Sequence, residues 1–218
     1  MMPLLLLIAV FGIAWIDLFL PQPSLGLFSE GWFALSAAKS ALRFAFIALV
    51  MKNWLGFEAF GLRRLKPFLS GYLPHAGDLA NGVLIAATAG VFALGLALFS
   101  LISNAQNPLL YPFQGSERTG LSLILMAVSS LGIGYSEELF FRFFAVTSLE
   151  KAGLCPAFAV LGSALVFGVS HGSQGFLGMT AAAMLALLFS FFRTRGKSLH
   201  ALSIGHALYD FVILLAVT

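Results

Sequence analysis

Seven apolar stretches, each close to the length that crosses a bilayer, constrain this chain more than any other feature. They run over residues 3–20, 31–51, 79–103, 119–149, 154–170, 175–192 and 198–218. A helix needs about 20 apolar residues to span the hydrocarbon core, whereas a barrel strand would alternate over about 10. The runs are long and continuous, so the predicted fold class is all-α, a polytopic transmembrane helix bundle of about seven spans. The composition agrees: 60% of the 218 residues are hydrophobic and 10% charged, with a mean hydropathy of +0.97. Such a chain is a membrane protein. Its length leaves room for one transmembrane domain over 1–218, with a polar-motif core at about 119–218. The first run is expected to be a retained span rather than a cleaved signal, because no Lys or Arg precedes it and no small-residue cleavage site follows.

A net charge of +3 does not point to nucleic acid, because the basic residues lie between apolar runs instead of forming a patch. Lys52, Arg63, Arg64, Lys66, Lys151, Arg193, Arg195 and Lys197 fall in alternate loops, and the opposite loops hold only Arg118. The positive-inside rule then puts the N-terminus in the cytoplasm and the C-terminus outside. The segment "FEAFGLRRLKPFLSGYL" at 57–73 reads as an interfacial stretch or a solvated loop, and "PQPS" and "NAQNPLLYP" read as outer loops. The lone Cys155 excludes an internal disulfide.

Charges inside spans need a reason, since each costs a few kcal/mol at the bilayer centre. Asp17 and Lys39 are expected to neutralise each other. Arg43, one turn from Lys39, is expected to snorkel toward the inner surface. The stretch "GYSEELFFRFF" at 134–144 is different. On an α-helix Glu138 and Arg142 are four apart and form a natural ion pair, while Glu137 stands apart from it. Burial in a low-dielectric site disfavours the charged form of a carboxyl group, the circumstance in which a carboxylate serves as a general base near neutral pH. A second structural salt bridge, from Glu137 to a histidine of another helix, is the competing reading.

Two further polar islands follow: "FGVSHG", with Phe167 and His171, and "GHALYD", with His206 and Asp210. Either histidine alone reads as a hydrogen-bonded core residue. Depth favours more. Counting from the cytoplasmic ends, Glu137 lies about 20 Å up its helix, His171 about 25 Å, His206 about 12 Å and Asp210 about 18 Å. All four are expected to meet near the mid-bilayer, whereas His200 and His75 stay at the cytoplasmic end. A carboxylate base with two imidazoles and a further polar group suits attack of water on a carbonyl. A nucleophile is less well served. Cys155 lies far from the histidines in depth, and Ser136 and Ser170 point to neighbouring helical faces.

The three islands, in this order, resemble the CAAX-protease and bacteriocin-processing (abortive-infection) family of intramembrane proteases. Glu137, Glu138 and Arg142 match its first motif, Phe167 and His171 its second, His206 and Asp210 its third. The resemblance implies peptide-bond hydrolysis inside the membrane, with Glu137 and His171 activating water, His206 and Asp210 holding the oxyanion, and Glu138, Arg142 and Phe167 in support. Phe143 departs from the glycine that many members carry after the arginine, and Asp210 from the asparagine typical of prenyl-processing enzymes. An ionised Asp210 would repel an oxyanion, so it must be protonated, pair with His206 as an orienter, or do something else.

The expected activity is a glutamate-type intramembrane endopeptidase cutting a membrane-embedded peptide or a lipid-modified protein. No nucleic-acid partner is expected. The expected location is a bacterial inner membrane. No cofactor is expected, although two histidines and a glutamate are also the ligand set of a catalytic zinc; a compact histidine pair four apart on one helix is missing. The alternative is a non-catalytic protein of the same scaffold, for bacteriocin immunity or partner binding. A proton-coupled transporter is less well supported, since internal inverted repeats are not apparent.

Overall fold

The computed structural model describes residues 2–18, 26–60, 73–103 and 118–217, and these contain helices and no strand. Seven helices follow in order: α1 (Met2–Ala14), α2 (Glu30–Trp54), α3 (Ala76–Ser103), α4 (Gly120–Lys151), α5 (Pro156–Ser170), α6 (Gly175–Thr194) and α7 (Leu199–Val217). The segments "PQPS" and "NAQNPLLYP", and residues 61–72 of the interfacial stretch with Arg63, Arg64 and Lys66, lie outside the described residues. The ends of the helices follow local chemistry. Ser29 caps α2 by accepting from the Trp32 amide at 3.2 Å, and Thr119 and Ser122 cap α4 reciprocally at 3.0 Å. Pro156 opens α5, where its missing N–H is harmless.

Among the described residues, five helices are long and apolar enough to cross a membrane, and α1 and α5 are shorter. The 3–20 and 154–170 runs thus form helices of 13 and 15 residues, about 20 and 22 Å long against a core of about 30 Å. α1 stops because the chain turns at Ile16–Leu18 to carry Asp17 to α2. There the Asp17 carboxylate meets Lys39 Nζ at 3.3 Å and Arg43 Nη2 at 3.1 Å. The snorkelling expected of Arg43 is therefore not observed: its guanidinium lies 4.5 Å over the Trp15 ring, and its Nε donates to the Ala14 carbonyl at 2.8 Å. The orphan carbonyl at the end of α1 and the buried charge are satisfied together.

Contacts at the two ends show the helices alternating in direction. At one end Thr119, opening α4, bonds Glu30, opening α2, and Arg118 donates to the Leu215 carbonyl near the end of α7 at 2.7 Å. At the other end Lys197 Nζ donates to Asn81 Oδ1 at 2.7 Å, Ser198 bonds Asp78, and Arg193 Nη2 donates to Thr147 Oγ1 at 3.2 Å. Lys52, Lys151, Arg193, Arg195 and Lys197 all belong to this second, basic end.

α4 lies at the centre of the bundle, packed on α2 and α7, while α7 also packs on α3 and α5 pairs with α6. Glu138–Ala145 departs from the α-helix expected across 119–149. It is a π-helix of eight residues, all buried. Its wider i→i+5 turn alters the angular spacing of side chains that α-helical geometry would impose. Directly above it α4 and α7 almost touch: a Cβ built on Gly134 would lie 2.6 Å from the Ser203 carbonyl oxygen and 3.1 Å from the Ala207 nitrogen. Small residues at such crossings let backbones approach where no hydrophobic force drives helices together in lipid.

Gly134→Ala is expected to cost about 1–3 kcal/mol by forcing two backbones apart. Gly90→Ala, where an added Cβ meets nothing within 4 Å, should stay within about 1 kcal/mol of wild type. Unfolding of both variants by SDS titration in mixed micelles checks this, and equal effects would refute the close approach.

Candidate active site

The middle of α4, the end of α5 and the middle of α7 converge on one buried polar cluster. At its floor lie Glu138 and Arg142, whose side chains are 0% and 1% exposed and whose charged atoms are 3.2 Å apart. The pair expected from their spacing is present. The Arg142 Nε and Nη1 atoms have no hydrogen-bond partner among the described residues. Aromatic faces take their place: the guanidinium carbon sits 4.5 Å from the Phe167 ring centre and 5.6 Å from that of Phe189, within range for cation–π attraction.

Glu138 also has a second partner that sequence reasoning did not assign to it. His206 Nδ1 lies 2.7 Å from Glu138 Oε1. A carboxylate held beside an arginine accepts, so Nδ1 carries the hydrogen and donates. The opposite ring nitrogen, Nε2, faces Glu137 Oε2 at 3.8 Å and Asp210 Oδ2 at 3.5 Å. Both separations exceed an ordinary hydrogen bond. Glu137 Oε2 is buried with no hydrogen-bond partner among the described residues. A buried acceptor in this state calls for a donor such as a water O–H.

His171 enters from a different kind of position. It caps the C-terminal end of α5 instead of lying within a helix, and the turn Gly172–Gln174 leads directly into α6. Its Nδ1 is 2.9 Å from the Phe167 carbonyl and 3.3 Å from Ser170 Oγ. A carbonyl only accepts, so Nδ1 bears the hydrogen, and a neutral His171 keeps its Nε2 lone pair free of that bond. The ring lies 4.6 Å from that of Phe167, and Asp210 is within electrostatic reach of His171, His206, Glu137 and Glu138.

Exposure rises from floor to rim. Arg142 and Glu138 are sealed, Glu137 and His206 are nearly so, and the Asp210 side chain is 24% exposed. The structure therefore brings Glu137, Glu138, Arg142, Phe167, His206 and Asp210 together, while the hydrogen bonds of His171 hold it to its own helix end. Among the described residues no group of three or more His, Cys, Asp or Glu side chains has the geometry to hold a metal ion.

Residues 119–212 match the type II CAAX prenyl endopeptidase Rce1-like family. The motif-bearing part of this chain is similar to that family. No curated protein and no solved structure matches the chain. Every residue of the polar cluster lies inside this Rce1-like region, and the likeness supports the scaffold of a CAAX-type intramembrane protease. Phe143 of this Rce1-like region is buried beneath the Arg193 guanidinium, 5.4 Å away, so the bulky departure from glycine is absorbed by a contact with α6.

Sequence reasoning missed Phe189, whose ring lies 5.3 Å from that of His206. No spacing singles it out from the neighbouring aromatics of "LLFSFF". His200, placed at the cytoplasmic end from sequence, is outside the cluster but buried, 2.9 Å from the Tyr135 hydroxyl.

Arg142→Ala is expected to destabilise the protein by about 3–5 kcal/mol, because it strands the Glu138 carboxylate without its cation. The double change Glu138→Gln with Arg142→Met should cost less than that single one. Denaturant unfolding in detergent measures both, and a double variant that costs as much as Arg142→Ala or more would refute the account.

Proposed function

We propose that this protein is an intramembrane endopeptidase that hydrolyses a peptide bond of a membrane-embedded or lipid-tethered substrate, with water that Glu137 deprotonates. The observation that carries this reading is the buried Glu137 Oε2, which has no hydrogen-bond partner among the described residues and lies beside His206 Nε2. A water donating to Glu137 loses that proton as its oxygen bonds to the substrate carbonyl carbon. His171, with its Nδ1 hydrogen committed to the Phe167 carbonyl, offers Nε2 to orient the same water. Glu138 and Arg142 fix His206, and Phe167 and Phe189 fix Arg142. No metal takes part.

The depth of Glu137 supports the substrate class. Seventeen residue steps separate it from Gly120 and fourteen from Lys151, about 25 Å and 21 Å of helix. The bond cut thus lies near the membrane midplane, where a transmembrane segment or a lipid-anchored chain end is the accessible polypeptide. In this reading the basic end and the N-terminus face the cytoplasm of a bacterial inner membrane.

The test is cleavage of a quenched-fluorescence library of transmembrane and lipidated peptides by purified protein, wild type beside Glu137→Gln, with and without chelator. Wild type should turn over a subset, Glu137→Gln should be slower by about 100- to 10,000-fold, and chelator should change neither. Equal silence of two folded proteins across the library would favour a non-catalytic binding or immunity scaffold. Loss with chelator would put a metal in the mechanism.

A further inference from the structure

We infer that His206 is the proton donor to the leaving nitrogen, held for that task by Glu138 behind it and Asp210 in front. The inference rests on the hydrolase reading above and goes beyond it in assigning the second proton transfer. Its basis is the arrangement of carboxylates around one imidazole. Nδ1 donates to Glu138 Oε1 at 2.7 Å, so that hydrogen is committed. Nε2 points toward two further carboxylate oxygens, Glu137 Oε2 at 3.8 Å and Asp210 Oδ2 at 3.5 Å. A bare lone pair aimed at two anionic oxygens is repelled, whereas an N–H aimed at them is attracted, so the surroundings suit an imidazolium that carries both hydrogens. The other charged neighbour, Arg142, is neutralised by Glu138.

Distance makes this proton available. At 3.5 Å and 3.8 Å the Nε2 hydrogen is oriented by the two carboxylates without being consumed in a short bond to either. It lies beside the oxygen of Glu137 that would take a proton from water. As the water oxygen bonds to the carbonyl carbon, Glu137 accepts one of its protons and the carbonyl electron pair moves to oxygen. When the C–N bond breaks, its electron pair goes to nitrogen, which takes the Nε2 proton, while the C=O bond re-forms. The proton on Glu137 then returns to Nε2. The products are a carboxylic acid and an amine, and the site regains its starting protons.

Asp210 acquires a reason in this scheme. At the rim, an ionised carboxylate opposes an oxyanion but favours a cationic donor, so an aspartate at this position suits proton delivery better than oxyanion binding.

The experiment compares one lipidated peptide amide with its matching p-nitrophenyl ester, whose leaving group needs no proton although attack and oxyanion formation are common to both. His206→Gln should lower amide kcat by about 100-fold or more, with ester turnover falling less than about threefold. Asp210→Asn, a near-isosteric change at the rim that should fold, is expected to lower amide kcat about tenfold at little cost to the ester, as a charge-assisted contact becomes a neutral one. Two results overturn the inference: equal losses on amide and ester in either variant, or faster cleavage of both by Asp210→Asn, as an oxyanion-binding position would give. Should His206→Gln not fold, Asp210→Asn decides the matter. Glu137→Gln should silence both substrates, and a wild type inert on both would remove the hydrolase reading itself.

Discussion

The structure depends on keeping an arginine and a glutamate dry. Arg142 and Glu138 are sealed inside the bundle, where desolvation is expensive and only a close counter-charge offsets it. Much of the central architecture serves that need. The π-helical turn buries eight successive residues, and Phe167 and Phe189 close over the guanidinium from α5 and α6. His206 uses the other Glu138 oxygen. One carboxylate thereby joins α4 to α7, and two aromatic rings join α4 to the α5–α6 hairpin. Removing any of these groups strands another.

The same economy recurs where α1 meets α2. Asp17 pairs with two cations, and Arg43 also closes the carboxyl end of α1. In both places a charge that looks extravagant in a membrane span is shared by several helices, and each fastens elements that lipid alone would not drive together.

Much of this was legible in the sequence because hydrocarbon is a strict solvent. It allows few charges, so those present stand out, and the convergence of Glu137, His206 and Asp210 follows from depth and spacing, whereas His171, expected beside them, is bonded to the end of its own helix. The seven helices and the sharing of one end by Lys52, Lys151, Arg193, Arg195 and Lys197 were equally readable, since both follow from hydropathy and charge. What could not be read depended on contacts between helices. The 13-residue α1 ends early because Asp17 is drawn to α2, which no local signal in "AWIDLF" announces. The π-helical turn follows from packing on all sides. Glu138 as the partner of His206 required the rotation of α7, and Phe189 required the crossing of α6 over the site; neither is encoded in a spacing along one helix.

The contact at Gly134 has a wider meaning. Where two helices meet through side chains, rotamer changes let them slip by fractions of an ångström. Here a backbone atom of one helix would collide with a single added carbon on the other, so hard cores set the register. His206 follows Ser203 by three residues and Glu138 follows Gly134 by four, one turn from that stop on either side. The separation of carboxylate and imidazole is therefore gauged by the main chain, and thermal motion of the surrounding lipid has little leverage on it.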